Sequence, residues 1–133
     1  MQSFTLHAQL AADTVLISEL PLSRLLLMNN RLFPWVILVP RYETAREIID
    51  LSETDRMQLM REITLVSKAM QRLFSPDKLN VAALGNMVPQ LHLHVIARFA
   101  KDSAWPQPVW GKGSEPYGDK EMKDVLARWQ SVL

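Results

Sequence analysis

The chain contains no cysteine. Disulfides and cysteine-based zinc sites are therefore excluded, and a reducing compartment is permitted. Neither sign of charge prevails, with 15 Lys and Arg against 14 Asp and Glu and a formal net charge of +1. Such a balance creates no global field for nucleic acid or an anionic membrane, so no partner of either kind is expected and anion binding has to be local. Long apolar runs are missing too. The longest, Trp35 to Pro40, is far too short to span a bilayer. The stretch Met1 to Leu6 lacks the basic start and apolar core of a secretory signal, which makes a cytoplasmic protein the expectation. There is no internal repeat and no low-complexity segment.

What is present suits one globular domain over residues 1–133. The apolar share is 48%, and a chain of this length can bury a real core without staples. Thr14 to Ser18 and Leu22 to Met28 read as strands, and Asn29-Asn30-Arg31 reads as the turn that follows. Trp35 to Val39 is a continuous β-prone run ended by Pro40, as expected of a strand buried on both faces. Leu51 to Phe74 reads as a long helix, because Leu59, Ile63, Val66, Met70 and Leu73 recur at three and four residues and form one stripe. Ser52 or Thr54 can cap it, Asp55 suits its first turn, and Pro76 stops it. Leu79 to Leu84 is a fourth strand, Gly85-Asn86 a turn, and Leu91 to Phe99 a fifth strand. Ala104 to Gly118 reads as an ordered loop. Met122, Val125, Leu126, Trp129 and Val132 mark a short C-terminal helix. The expected class is α+β, an antiparallel sheet of about five strands with one long helix over one face. The other face is left for a site or a partner subunit.

The chemistry concentrates in Gln90-Leu91-His92-Leu93-His94-Val95-Ile96. Side chains alternate across a strand, so Gln90, His92 and His94 share one face and Leu91, Leu93 and Val95 the other. A neutral imidazole is a competent nucleophile near neutral pH and can attack phosphorus to form an N–P bond. Its second nitrogen must then donate to a fixed acceptor, for which a nearby backbone carbonyl would serve. A second histidine can hold a phosphoryl oxygen or protonate a leaving group. A bare His-x-His is equally a pair of exposed polar residues or half of a metal site. Two of the three histidines in the chain fall here, which shifts the balance toward function, whereas His7 reads as a surface residue.

The segment Gly85-Asn86-Met87-Val88-Pro89-Gln90-Leu91-His92-Leu93-His94-Val95-Ile96 resembles the signature of the histidine-triad (HIT) family, His-φ-His-φ-His-φ-φ with φ apolar. The spacing and every apolar position match. The strand Trp35 to Pro40 followed by Arg41 resembles an earlier family strand, and Asn80 sits where the family carries an asparagine before the motif. The likeness extends over roughly residues 14 to 100. It implies a HIT-like α+β domain, usually a homodimer, that binds a purine nucleotide or nucleotide conjugate. It also implies transfer or hydrolysis at the α-phosphate through a nucleotidyl-histidine, with no cofactor and no metal in the covalent step. The nucleophile would be His92 and the third motif position His94. Gln90 departs from the pattern, standing where the family has its first histidine. An amide can orient or hold a partner but cannot carry a proton. Trp35 is a second departure, since some relatives have a histidine near there.

Asn29, Asn30, Asn80 and Asn86 are candidate ribose or phosphate contacts, with turn chemistry the alternative for Asn29 and Asn30. Phe33 and Trp35 offer an apolar slot for a base, or simply core packing. Trp105 to Gly111, dense in aromatics and prolines, reads as a pocket lid, a dimer contact or a loop pinned to the domain. Arg98 would meet phosphate or solvent. Three functions follow: a nucleotide hydrolase or transferase acting through His92, on dinucleoside polyphosphates, nucleoside phosphoramidates or related adenylates; a nucleotide-binding module without turnover; or a metal protein using His92 and His94.

Overall fold

The structure, a computed structural model, describes residues 4–133; Met1, Gln2 and Ser3 of the segment read for a secretory signal lie outside them. It is an α+β fold with a five-stranded antiparallel sheet and three helices. In chain order the elements are α1 (Ala8–Asp13), β1 (Thr14–Glu19), β2 (Ser23–Met28), β3 (Trp35–Pro40), a 3-10 turn (Ile48–Asp50), α2 (Glu53–Phe74), β4 (Lys78–Ala82), β5 (Leu93–Arg98) and α3 (Asp119–Ser131). The strands lie in the order β1-β2-β3-β5-β4. The continuous apolar run of β3 sits at the centre, buried at every position as a doubly covered strand requires. Its neighbour β5 is buried throughout as well, with Ile37 opposite His94 and Trp35 opposite Ile96.

Alternation sorts the strands into two cores. Val36, Leu38, Leu93 and Val95 face α2 and α3, where they join Leu59, Val66, Met70 and Trp129. Trp35, Ile37, Val39 and Ile96 face the other way and join Leu10, Phe33, Val88 and Val109. The helical stripe expected in α2 packs as read, with Leu59, Val66 and Met70 buried and Ile63 and Leu73 against them. Ser52 Oγ caps it by accepting from the Asp55 N–H at 3.1 Å. At its other end Ser75 turns left-handed, at φ 49°, and Arg128 of α3 donates to the Leu73 carbonyl at 2.7 Å.

Three expectations need correction. The sheet face away from α2 is not open along its length. The six-residue helix α1, which sequence reading missed, and the loop through Ala104 and Val109 cover part of it. The fifth strand begins at Leu93 rather than Leu91, because the Leu91 N–H pairs with the Ala45 carbonyl in a loop instead of with β3. Arg98 meets neither solvent nor a ligand pocket, since both faces of β5 are covered and it is 2% exposed. Its guanidinium pairs with Asp102 at 2.8 Å, donates to Asn80 Oδ1 at 2.9 Å and to the Gln107 carbonyl at 2.7 Å, and lies over the Phe33 and Trp105 rings. Burial alone would raise the Asp102 carboxyl. Arg98 and the N–H groups of Phe99, Ala104 and Trp105 outweigh that and hold it at about 2. This buried network pins the start of the 104–118 loop. Asn29 and Asn30 pin its end, Asn29 Oδ1 accepting from the Tyr117 N–H at 2.9 Å and Asn30 donating to the Gly113 carbonyl at 3.3 Å.

Candidate active site

His92 and His94 sit at the entrance to β5 with ring centroids 4.9 Å apart. His92 Nδ1 is 2.7 Å from the Gln90 carbonyl oxygen. A carbonyl can only accept, so Nδ1 carries the hydrogen and Nε2 keeps a free lone pair. That is the arrangement a nucleophilic imidazole needs. His94 has the opposite tautomer. The Trp35 indole N–H, which can only donate, reaches His94 Nδ1 at 3.0 Å. The proton of a neutral His94 is therefore on Nε2. Burial, reinforced by the neighbouring His92, pushes the His94 pKa down to about 3. At neutral pH His94 is thus a hydrogen-bond donor. It does not carry the extra proton of a general acid, the second role that reading the sequence allowed it.

Aromatic rings hold this pair in place. Trp35 and Trp110 both meet His94 edge-on, at centroid distances of 5.6 and 5.1 Å, and meet each other at 5.6 Å. Two cavities adjoin along this wall and share Asp13, Met28 and Trp110. The first, of about 340 Å³, is lined by both histidines, by α1 and by the loop 84–88. The second, of about 350 Å³, contains Asn29, Asn30 and Trp35 with the Trp110–Ser114 loop.

The candidate residues therefore divide. His92, His94 and Asn86 line the histidine cavity, and Asn29, Asn30 and Trp35 line its neighbour. Asn80 lines neither; its side-chain oxygen serves Arg98. Gln90 lies before the strand and lines a separate cavity with Thr5 and His7. Its amide oxygen accepts from the His7 N–H at 2.9 Å and its amide nitrogen donates to the Thr5 carbonyl at 3.0 Å. His7 is a half-buried helix cap, accepting from the Gln9 N–H at 3.1 Å. What Gln90 supplies to the histidine pair is its backbone carbonyl. Sequence reading also missed Leu10 and Asp13 of α1, which line the histidine cavity. The one available signal was the helix-prone run Gln9 to Asp13 after His7. Among the described residues, no three His, Cys, Asp or Glu side chains form a group that could hold a metal ion, and no helix is long and apolar enough to cross a membrane.

Comparison with known proteins agrees with this geometry. The HIT domain family model matches residues 9–101. A histidine triad protein of Marinobacter aquaeolei VT8 is 50% identical, with a TM-score of 0.95 over 98% of this chain and 96% of that one. A histidine triad protein of Bradyrhizobium japonicum is 45% identical, also at TM-score 0.95, over 98% of each chain. The diadenosine triphosphate hydrolase of Plasmodium falciparum, at 18% identity, shares the fold at TM-score 0.61 over 87% of this chain and 74% of its own. A search of curated proteins found no match. On the family match and these two close structural relatives, the chain belongs to the HIT domain family.

Proposed function

We propose that this protein is a nucleotide hydrolase or nucleotidyl transferase that works through a nucleotidyl-His92 intermediate. The observation that carries the proposal is the 2.7 Å contact from His92 Nδ1 to the Gln90 carbonyl, which leaves Nε2 as a free, oriented nucleophile. The nucleoside occupies the cavity of Asn29, Asn30 and Trp35, which fits a purine nucleotide or nucleotide conjugate, and its α-phosphate reaches the histidines. The Nε2 lone pair attacks phosphorus, and the P–O or P–N bond to the leaving group breaks with its electron pair. His94 donates Nε2–H to a phosphoryl oxygen as negative charge builds. Water or another acceptor then attacks phosphorus, and the N–P electron pair returns to His92.

The alternative of a binding module without turnover drew its motive from Gln90. The amide of Gln90 is taken up by Thr5 and His7, so the missing first histidine leaves the nucleophile and its carbonyl partner in place. That favours the enzyme. The decisive experiment is mass spectrometry of protein quenched during turnover. A nucleoside-monophosphate adduct on His92 is expected, and His92→Ala should give none while melting near wild type. Nucleotide binding with no adduct and no product would establish the binding module instead. The protein is further proposed to be a homodimer, for which light scattering at micromolar concentration should return twice the chain mass.

A further inference from the structure

The acceptor that orients His92 belongs to the peptide unit joining Gln90 to Leu91, which is planar and rigid. Its carbonyl meets His92 Nδ1 at 2.7 Å, and its N–H donates to the Ala45 carbonyl at 2.9 Å. A peptide C=O and N–H point in opposite directions, so these two bonds define a single axis about which the plane can still rock. Rocking would tilt the carbonyl plane away from the His92 N–H, and a carbonyl accepts best near its own plane. On the Leu91 side the plane is held by that residue's burial in the core. On the Gln90 side it is held by the side-chain amide.

Both halves of that amide are spent on one segment. Gln90 Oε1 accepts from the His7 N–H at 2.9 Å, and Nε2 donates to the Thr5 carbonyl at 3.0 Å. The segment is itself fixed. The Thr5 N–H donates to Glu43, the Arg24 guanidinium lies over the Phe4 ring at 5.1 Å, and Leu6 packs on the core of Leu10 and Ile37. Gln90 is 7% exposed and lines neither the histidine cavity nor its neighbour, so a substrate held there does not meet its amide. We propose that Gln90 is a positioning residue for the reaction, whose amide ties the 90–91 peptide to residues 5–7 and so keeps its carbonyl on His92 Nδ1 and leaves Nε2 free. The proposal rests on the reading of His92 as nucleophile. It also accounts for an amide where the family pattern has a histidine. The clamp needs a donor and an acceptor together, which an amide always has and an imidazole loses on protonation.

The test breaks the clamp from either end. Gln90→Met keeps the side-chain length and the backbone carbonyl and removes both amide bonds. His7→Pro acts from 83 residues away, because proline has no N–H, and the φ of −53° at His7 already suits it. His7→Ala, which keeps the N–H and loses only the ring nitrogen that caps α1, is the control. ¹⁵N NMR of His92 without substrate reads its tautomer. Wild type and His7→Ala should show Nδ1–H alone, whereas Gln90→Met and His7→Pro should show Nε2–H as well. In those two variants kcat should fall about threefold to tenfold, the range for loosening one neutral hydrogen bond, with KM little changed. The proposal is overturned if both keep the wild-type tautomer and kcat while hydrogen exchange quickens over residues 5–13, because the Ala45 bond would then suffice. It is also overturned if His7→Ala falls as far as His7→Pro, or if Gln90→Met loses a hundredfold in kcat, which would put the amide in the chemistry itself. The absence of an adduct on wild-type His92 would overturn the nucleophile, and the tautomer measurement, which needs no substrate, would still decide the clamp.

Discussion

The tautomer and burial of His94 make a prediction about acid stability that can be worked through. In the unfolded chain a histidine takes up a proton near pH 6.5, whereas in the folded protein His94 stays neutral down to about 3. Between those limits the unfolded state binds one more proton than the native state. The contribution of His94 is therefore fully present above the unfolded pKa and is lost as pH falls through the window from about 6.5 toward 3. One proton changes stability by about 1.36 kcal/mol per pH unit. From pH 7.5 to 4.5 this residue should cost wild type about 2.5 kcal/mol. The control is His94→Asn, whose Oδ1 stands where Nδ1 stood and can accept from Trp35, and which does not titrate. Urea melts of both proteins at pH 7.5 and 4.5 give the difference of differences, in which the carboxylates common to both largely cancel. Wild type should lose about 2.5 kcal/mol more than the variant over that range. Equal losses would mean that His94 takes up a proton in the folded state as readily as in the unfolded one, and the neutral state assigned to it, with Nδ1 accepting from Trp35, would fall.

Trp35→Phe keeps a ring in the slot but removes the N–H that fixes the His94 tautomer. Its kcat should drop roughly tenfold, less than the 10²-fold typical of losing a transition-state donor outright, with KM little changed; ¹⁵N NMR of His94 should show mixed tautomers in place of Nε2–H alone. Gln90→Ala removes two hydrogen bonds to Thr5 and His7 and should destabilise by about 1–2 kcal/mol. Hydrogen exchange should quicken over residues 5–13 while kcat stays within tenfold, and a hundredfold fall in kcat would place the amide in the chemistry. Asp102→Ala strands the Arg98 guanidinium, 2% exposed, and should lower stability by about 3 kcal/mol or more in urea melts. A loss below about 1 kcal/mol would show that water reaches Arg98 once its partner is gone.

Much of the fold is legible because secondary structure is a local property. The stripe Leu59, Val66, Met70 repeats at helical spacing and packs as read, and the unbroken apolar run of β3 identifies a central strand before any partner is known. The alternation around His92 and His94 likewise puts both on one side, against an apolar side that enters the core. Boundaries were less legible. Leu91 has the residue type of a strand, but its N–H goes to Ala45, which no periodicity announces. The helix α1 is six residues long, too short for a periodic signal.

Determined by the sequence alone are the α+β class, the positions of the long helix and central strands, and the imidazole pair with its family resemblance, because each depends on residues within a few places of one another. The tertiary structure decided what those groups can do. Trp35 finds His94 across 59 residues, and through that bond His94 becomes a neutral donor. Gln90 finds Thr5 and His7 across 85 and 83 residues, and its amide is thereby drawn away from the histidines. Arg98 reads as a surface cation until the 102–107 loop folds over it. A polar side chain takes its role from whichever donor or acceptor the fold brings within about 3 Å, and chain separation sets no limit on that partner.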